Sequence, residues 1–391
     1  MGDASSKPGW RERWLTARNR VLMNPAFQHW SMRLPLLRRT ARWHATQMFG
    51  VITGFVYTKT LTAAVDAGII ARLAEAPADT AALAAAAGLE PAAMERLLLA
   101  ARAIDLVEPI GDGRQKETRW TLGQRGAALA RNRGALAMIE HHKLFYDDLA
   151  DPLAMLRGGR GQGKLADFWT YAPASGEGRP ASSDPASWQG AGDGATAPYS
   201  ALMAASQPMV AEQVLDAHDF SRHRRLLDVG GGHGAFLAEV AARHPQLEMG
   251  LFDLPAVAEG ARRALDARGL TQIVAHGGSF RDDPIPPGAD LISLVRICHD
   301  HDDDVVAALL AKVRAALPPG GRLLIAEPMA GTKGAEAMGD AYFGLYLWAM
   351  GSGRPRAAEA YLAMLRAAGF RRAREVPTAL PMVTRLIVAE A

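Results

Sequence analysis

Residues 224–245, RRLLDVGGGHGAFLAEVAARHP, read as a buried strand, a glycine turn and a helix in immediate succession. This is the tightest constraint the chain places on its own fold. The spacing is Asp228-x-Gly230-x-Gly232-x-Gly234, with Gly231 completing the run. Glycines at such a turn let the backbone pass close to a ligand, and the helix start beyond supplies unpaired N–H groups. From Arg225 to the C-terminus strands and helices alternate, the pattern of a parallel sheet covered on both faces. The permissive dinucleotide fingerprint is satisfied by Gly230-x-Gly232-x-x-Ala235. Asp228 argues against it, because a carboxylate two positions before the first glycine is poor for a pyrophosphate. It is good for a ligand with a cationic amino group. A second strand ends in Asp253, nineteen residues past Gly234 and followed by Leu254. A carboxylate there can accept both ribose hydroxyls. GGSF (277–280) ends a third strand, where Ser279 and Phe280 offer a rest for an adenine ring. A cationic amino-acid tail joined to adenosine without phosphates is S-adenosylmethionine.

About seventy residues past the glycines comes ICHDHDDDVV (297–306). ADLISLVRIC (289–298) reads as a buried strand, so His299 falls at its C-terminal end, the edge where ligands bind in a doubly wound sheet. Asp302, Asp303 and Asp304 precede the helical run VVAALLAKVRAAL and are expected to cap it and favour its positive end. His299, His301 and the aspartates are legitimate metal ligand types. Contiguity opposes a metal, since successive residues of a strand point to opposite faces. No metal is expected.

At 391 residues the chain has room for two domains. Residues 50–130 read as helix, turn, helix and a small β-wing, with a helix expected over Phe55–Leu73, Asp79 or Thr80 as a cap and a Gly-Asp-Gly turn in the wing. A winged helix raises DNA binding, but the second helix of the pair carries Arg96 and Arg102 against Glu90, Glu95 and Asp105. That balance would be repelled by phosphate, so no nucleic-acid partner is expected. Residues 131–205 read as a helical connector, interrupted over 172–198 by an Ala, Ser, Gly, Pro and Asp-rich insertion and returning to helix at Ala201. Residues 1–49 form a basic, aromatic arm. Nine Lys/Arg against Asp3 and Glu12 give residues 1–43 a charge of +7 out of a total of +3, leaving −4 for the rest. Arginines mixed with Trp10, Trp14, Trp30 and Trp43 suit the headgroup layer of a membrane; a solvated arm packed on the next domain is the alternative. The lone Cys298 suits a reducing cytoplasm, no apolar run is expected to reach the length of a membrane span, and no signal peptide is read. The expected location is cytoplasmic, with the arm as a candidate for peripheral contact at the inner membrane.

Taken in order, DVGGGHG, FDLP, GGSF, ICHDHDDD and LPPGGRLLIAEP resemble the motif series of the cation-independent S-adenosylmethionine-dependent O-methyltransferases of the plant small-molecule and acetylserotonin type. The resemblance covers most of the chain. It implies an α/β fold. A Rossmann-like class I methyltransferase domain with a seven-stranded sheet would span 206–391, and a mostly helical, winged-helix-like dimerisation domain would span 50–130. A homodimer is implied, with S-adenosylhomocysteine as the product of the donor. The family's catalytic base falls on His299 and the glutamate that orients it on Glu327. Three positions depart from the family pattern: Pro355 where a second glutamate would fall (Asp340 or Glu359 being possible substitutes), Ser279 for aspartate, and Arg296 where lysine is common among cofactor contacts.

Between the last motifs, GAEAMGDAYFGLYLWAMGSG (334–353) is apolar or aromatic around nearly its whole circumference after Asp340. Met338, Tyr342, Phe343 and Tyr346 there, with His142, Phe145, Tyr146 and Met203 upstream, are the expected lining of a greasy acceptor pocket. Within the family the chain is similar to enzymes of purple photosynthetic bacteria that methylate the tertiary C-1 hydroxyl of acyclic hydroxycarotenoids. That likeness implies a carotenoid acceptor. A tetrapyrrole is the alternative.

Overall fold

The computed structural model describes residues 9–111, 118–168 and 193–391, with side chains described outside 167–204. The chain divides into two compact units, Met1–Arg131 and Asn132–Ala391.

The first unit opens with three helices, Trp10–Leu22, Pro25–Arg33 and Pro35–Asp66. The last passes through residue 49 without a break, so the expected boundary between arm and domain falls inside one helix. Gly50 and Gly54 meet no neighbour and are carried by the turns around them. The helix expected to continue to Leu73 stops at Asp66, because Gly68 turns left-handed (φ +69°) before Ile69–Glu75 begins. Pro35–Asp66 is also long and apolar enough to cross a membrane by length and composition, which corrects the expectation that no such stretch exists. Many of its apolar side chains, Phe49, Val51, Ile52 and Phe55 among them, are exposed.

The winged-helix reading holds for the rest of this unit. Asp79 accepts from the Ala82 amide (2.7 Å) and caps Thr80–Ala87; left-handed Gly88 ends that helix and Pro91–Ala103 follows. Strands β1 (Ala78–Asp79), β2 (Val107–Ile110) and β3 (Arg119–Leu122) form an antiparallel sheet in the order β1-β3-β2. The tip of the expected wing lies outside the described residues. Leu83, Met94, Leu98, Val107 and Trp120 fill the core beneath it.

The second unit holds the seven-stranded sheet. Its strands are β4 (Arg225–Val229), β5 (Glu248–Asp253), β6 (Val274–Gly277), β7 (Leu291–Val295), β8 (Arg322–Glu327), β9 (Arg371–Val376) and β10 (Arg385–Glu390), in the order β6-β5-β4-β7-β8-β10-β9. β10 runs antiparallel to both neighbours, while β4 through β8 pair in parallel. Parallel strands with both faces covered are read as continuous apolar runs, and LISLV in β7 is buried throughout. Strand order reverses between β4 and β7, which opens a crevice at their carboxyl ends. The helices expected as a connector pack inside this unit, with Arg133–Asp148 against Asp193–Ala217. That second helix starts at Asp193, earlier than the expected Ala201. The rest of the expected insertion, residues 172–192, lies outside the described residues.

Gly126 supplies a test of the first unit's packing. A Cβ there would stand 2.0 Å from the Leu106 carbonyl oxygen, a backbone atom that cannot step aside. Gly126→Ala should cost about 1–3 kcal/mol, read as a lower urea midpoint, while far-UV circular dichroism stays helical.

Candidate active site

Asp228 ends the buried core of β4, and its carboxylate accepts from Ser293 Oγ of β7 at 2.6 Å. The turn that follows needs glycine for two separate reasons. Gly230 and Gly232 hold φ of +73° and +56°, and a Cβ on Gly230 would lie 2.4 Å from Ile297 Cδ1. The donor turn thus touches the loop that carries His299. Gly234, also left-handed, starts Ala235–Arg243. At the end of β5, Asp253 accepts from the amides of Gly232 (2.8 Å) and Leu254 (2.7 Å). Burial pushes the Asp228 carboxyl up to about 7, opposed by the Ser293 hydroxyl. Burial likewise raises Asp253 to about 6 against its two amide bonds.

Ser279 and Phe280 lie just past β6. Ser279 Oγ donates to Asp282 and its amide to Asp283, so carboxylates stand next to the position where the family's aspartate is missing. Phe280 meets His301 edge-on at 5.2 Å between ring centres. Arg296, left-handed at φ +61°, extends its guanidinium to Ser206 Oγ (2.8 Å). Its charge is felt by His299, Asp300 and Tyr342.

His299 stands in a short 3₁₀ turn, Cys298–Asp300, beyond β7. Its Nδ1 lies 2.5 Å from Glu327 Oε2 and its Nε2 lies 3.1 Å from Asp300 Oδ1. Glu327 is fully buried and its other oxygen accepts from the amides of Ile297 (2.9 Å) and Cys298 (2.6 Å). Burial alone would lower the imidazole pKa. The carboxylates of Asp300 and Glu327 outweigh it and raise the group above its ordinary value.

The aspartates that follow differ from expectation in one detail. Asp302 occupies the N-cap of Asp303–Ala316, but its side chain makes no cap bond. It accepts instead from Arg160 (3.1 Å) and the Gly353 amide (3.1 Å), because two outside donors compete for it. Asp303 pairs with Arg354 and Arg356. His301 is turned to Arg281 and Phe280, and burial with the nearby cation lowers it to about 3. Among the described residues no group of three or more His, Cys, Asp or Glu is placed to hold a metal ion.

Several of the residues expected to line an acceptor pocket come together in an aromatic cluster. Helix Arg133–Asp148 brings His142, Phe145 and Tyr146 to the aromatic stretch of 337–350. That stretch begins as a π-helix over Ala337–Tyr342 before Phe343–Met350 runs as an α-helix. The widened turn is a common device at functional sites. His142 Nε2 lies 2.8 Å from the Tyr342 hydroxyl, Phe145 meets Tyr342 and Tyr346 edge-on, and Phe343 meets the His299 ring edge-on at 5.6 Å. Tyr146 borders His142 at 6.3 Å. Met338 is half-buried, and the Met203 side chain lies outside the described residues. Three positions escaped the sequence reading. Asp300 was visible only as one of several acids. Ser293 lies in an apolar run. Arg356, fully buried, donates to the carbonyls of Cys298 (2.6 Å) and His301 (2.7 Å).

A glycine turn with two buried carboxylates, a carboxylate-held imidazole beside it and an apolar aromatic wall define a class I methyltransferase. Comparisons agree. An O-methyltransferase domain model matches residues 146–371 and an O-methyltransferase dimerisation domain model matches 49–132. Demethylspheroidene O-methyltransferase of Cereibacter sphaeroides is 42% identical over 364 residues, 93% of this chain and 91% of that protein. Its namesake in Rhodobacter capsulatus is 40% identical over 389 residues, covering 100% of this chain and 92% of that one. Human N-acetylserotonin methyltransferase, solved with SAM, shares the fold at a TM-score of 0.72 and 24% identity, over 89% of this chain and 97% of that one. The chain belongs to the S-adenosylmethionine-dependent O-methyltransferase family.

A donor amino group held by Asp228 would make donor affinity pH-dependent with a definite sign. A cationic amino group favours the ionised carboxylate, so affinity should rise as pH increases toward about 7. Below that value it should weaken by up to about tenfold per pH unit. Calorimetric titration with S-adenosylmethionine checks this, and Asp228→Asn should flatten the dependence.

Proposed function

We propose that the protein methylates the tertiary C-1 hydroxyl of an acyclic hydroxycarotenoid. The observation that carries the reading is a carboxylate-held imidazole, His299, edge-on to an aromatic wall of Phe343, Tyr342, Phe145 and Tyr346. Similarity to the two demethylspheroidene O-methyltransferases over nearly the full chain supports the choice of acceptor. When bound, S-adenosylmethionine supplies a methyl group on positively charged sulfur, already electrophilic. The residues then have two tasks. Neutral His299 takes the hydroxyl proton through Nε2, and Glu327 holds Nδ1 and steadies the imidazolium that forms. The aromatic wall holds the long apolar acceptor so that its hydroxyl points at His299, and such positioning is worth about 7–11 kcal/mol in well-oriented reactions. An aliphatic alcohol is a reluctant proton donor, which suits a base whose basicity two carboxylates raise.

The matched dimerisation domain supports a homodimer. It begins at residue 49, and the exposed Phe49, Val51, Ile52 and Phe55 lie within it as a face for a second copy. Ahead of it, Trp10, Trp14 and Trp30 are exposed on helices that also carry Arg11, Arg13, Arg18, Arg20 and Arg33. We read this arm as the part that brings the enzyme to the cytoplasmic membrane surface, where a carotenoid resides.

His299→Ala should lower kcat about 10²–10⁴-fold with donor affinity retained, measured by label transfer to a panel of hydroxycarotenoids, tetrapyrroles and phenols. Unchanged turnover would remove His299 from the mechanism, and label on a tetrapyrrole alone would reassign the acceptor. For the arm, full-length protein with Trp10, Trp14 and Trp30 replaced by alanine should sediment less with anionic liposomes than the parent. Equal sedimentation would end the membrane reading.

A further inference from the structure

We propose that the second unit binds a phosphate monoester at the edge of its sheet opposite the glycine turn and His299. A cleft of about 230 Å³ lies there, lined by Arg222, Arg322, Arg372 and Arg374 with His218 and Glu390 beside them. Strand direction brings these residues together. β4 through β8 point their carboxyl ends at the glycine turn, so Arg322, the first residue of β8, falls at the far edge. β10 runs the other way and ends at that edge, with Glu390 opposite Arg322. β9 pairs with β10 there, Arg374 opposite Val388 and Arg371 opposite Glu390. The extra residue that β9 carries between these pairs leaves Arg372 left-handed at φ +48°. A bulge re-aims a side chain, and Arg372 and Arg374 both face the cleft. His218 and Arg222 arrive from the segment after Asp193–Ala217.

The lining holds more cation than its own acid can answer. Arg372 pairs with Glu390 (3.2 Å) and Arg222 with Asp219 (2.8 Å). Among the described residues the side chains of Arg322 and Arg374 make no hydrogen bond or ion pair. Arg322 is half-buried, so its donors are withdrawn from water without a partner in return. His218 and His223 stack with their Nε2 atoms 3.1 Å apart. Burial and the cations of Arg222 and Arg322 outweigh Asp219 and hold His218 down at about 4; His223 is lowered too, with Asp290 and Asp219 opposing. The imidazoles are therefore neutral at neutral pH, and the positive field comes from the arginines.

A simpler explanation covers only part of the cluster. β9 is an edge strand, and charged side chains on an edge discourage pairing with another chain. That accounts for Arg371, Arg372 and Arg374. It does not account for Arg322, two strands in from the edge, or for Arg222 on the helical side. Guanidinium groups match phosphate oxygens in pairs, and several cations with one acid favour an anion of more than one charge. The cleft is smaller than the roughly 300–1,000 Å³ of sites that enclose a whole drug-sized ligand. It takes the phosphate head and leaves the rest of the ester outside. A soluble ester and a phospholipid head group share that chemistry.

The test uses full-length protein with labelled histidine, glycerol 3-phosphate as the soluble probe, and phosphatidylcholine vesicles with or without phosphatidic acid. Nuclear magnetic resonance should show the His218 and His223 signals moving saturably with glycerol 3-phosphate, beyond any effect of sodium chloride at equal ionic strength. Arg322→Gln combined with Arg374→Gln should weaken that binding about tenfold or more, with thermal midpoint and turnover unchanged. Should the double variant fold poorly, Arg374→Gln alone, at an exposed position, should still weaken it. Stronger sedimentation of the parent than of the variant with phosphatidic acid vesicles assigns the site to a lipid head group. Equal sedimentation, with glycerol 3-phosphate still bound, assigns it to a soluble ester. The proposal is overturned by no saturable shift at about 10 mM probe, by a shift that chloride reproduces, or by one that the arginine variants leave unaltered.

Discussion

A carboxylate with no access to water organises this active site. Removing a charge from solvent costs several kcal/mol unless hydrogen bonds answer it, and Glu327 has three: the amides of Ile297 and Cys298 and the Nδ1 of His299. These donors all come from the chain that leaves β7. Because β7 and β8 pair in parallel with Val295 opposite Ala326, Glu327 sits one residue past the paired ends, level with the point where β7 must turn. Satisfying the carboxylate forces the backbone out of extended geometry at Ile297 and into the 3₁₀ turn that presents His299. Strand register, loop shape and base orientation are consequences of one buried charge.

The donor turn is tied to the same loop from the other side. β4 and β7 are neighbours only because the strand order reverses between them, and that reversal sets Gly230 against Ile297. A side chain at 230 would push on the residue whose amide holds Glu327. Ser293 joins the two strands again through Asp228, one pair of residues earlier. The glycine turn and the loop that carries His299 are thus mechanically linked across a single strand pair.

What could be read from the chain alone follows from how local each requirement is. The glycine turn was legible because left-handed backbone at Gly230, Gly232 and Gly234 needs glycine and leaves a spelled pattern. His299 and Glu327 were legible as polar residues at the ends of apolar strands, and the aromatic wall as an all-round apolar helix. Asp300 was not, because a strand reading of 297–301 sends neighbours to opposite faces, whereas the 3₁₀ turn folds Asp300 back onto its own neighbour's ring. The role of Asp302 was misjudged because a helix-capping rule cannot see Arg160 and Gly353, 142 and 51 residues away. Composition changes at residue 49 while helical geometry does not, so the helix Pro35–Asp66 runs through that position.

The segment 351–357 shows why a departure from a family pattern need not weaken a site. Pro355 removes an acid, yet Arg356 next to it is fully buried and bonds the carbonyls of Cys298 and His301 and the carboxylate of Asp303. A tight turn leaves carbonyls that no helix or strand satisfies, and a planar guanidinium with several donors can satisfy two of them while pairing an acid. Gly353 and Ser352 add backbone contacts to the same residues. With this clamp holding the loop from outside and Glu327 holding it from within, the turn that presents His299 keeps its shape without an acid at position 355.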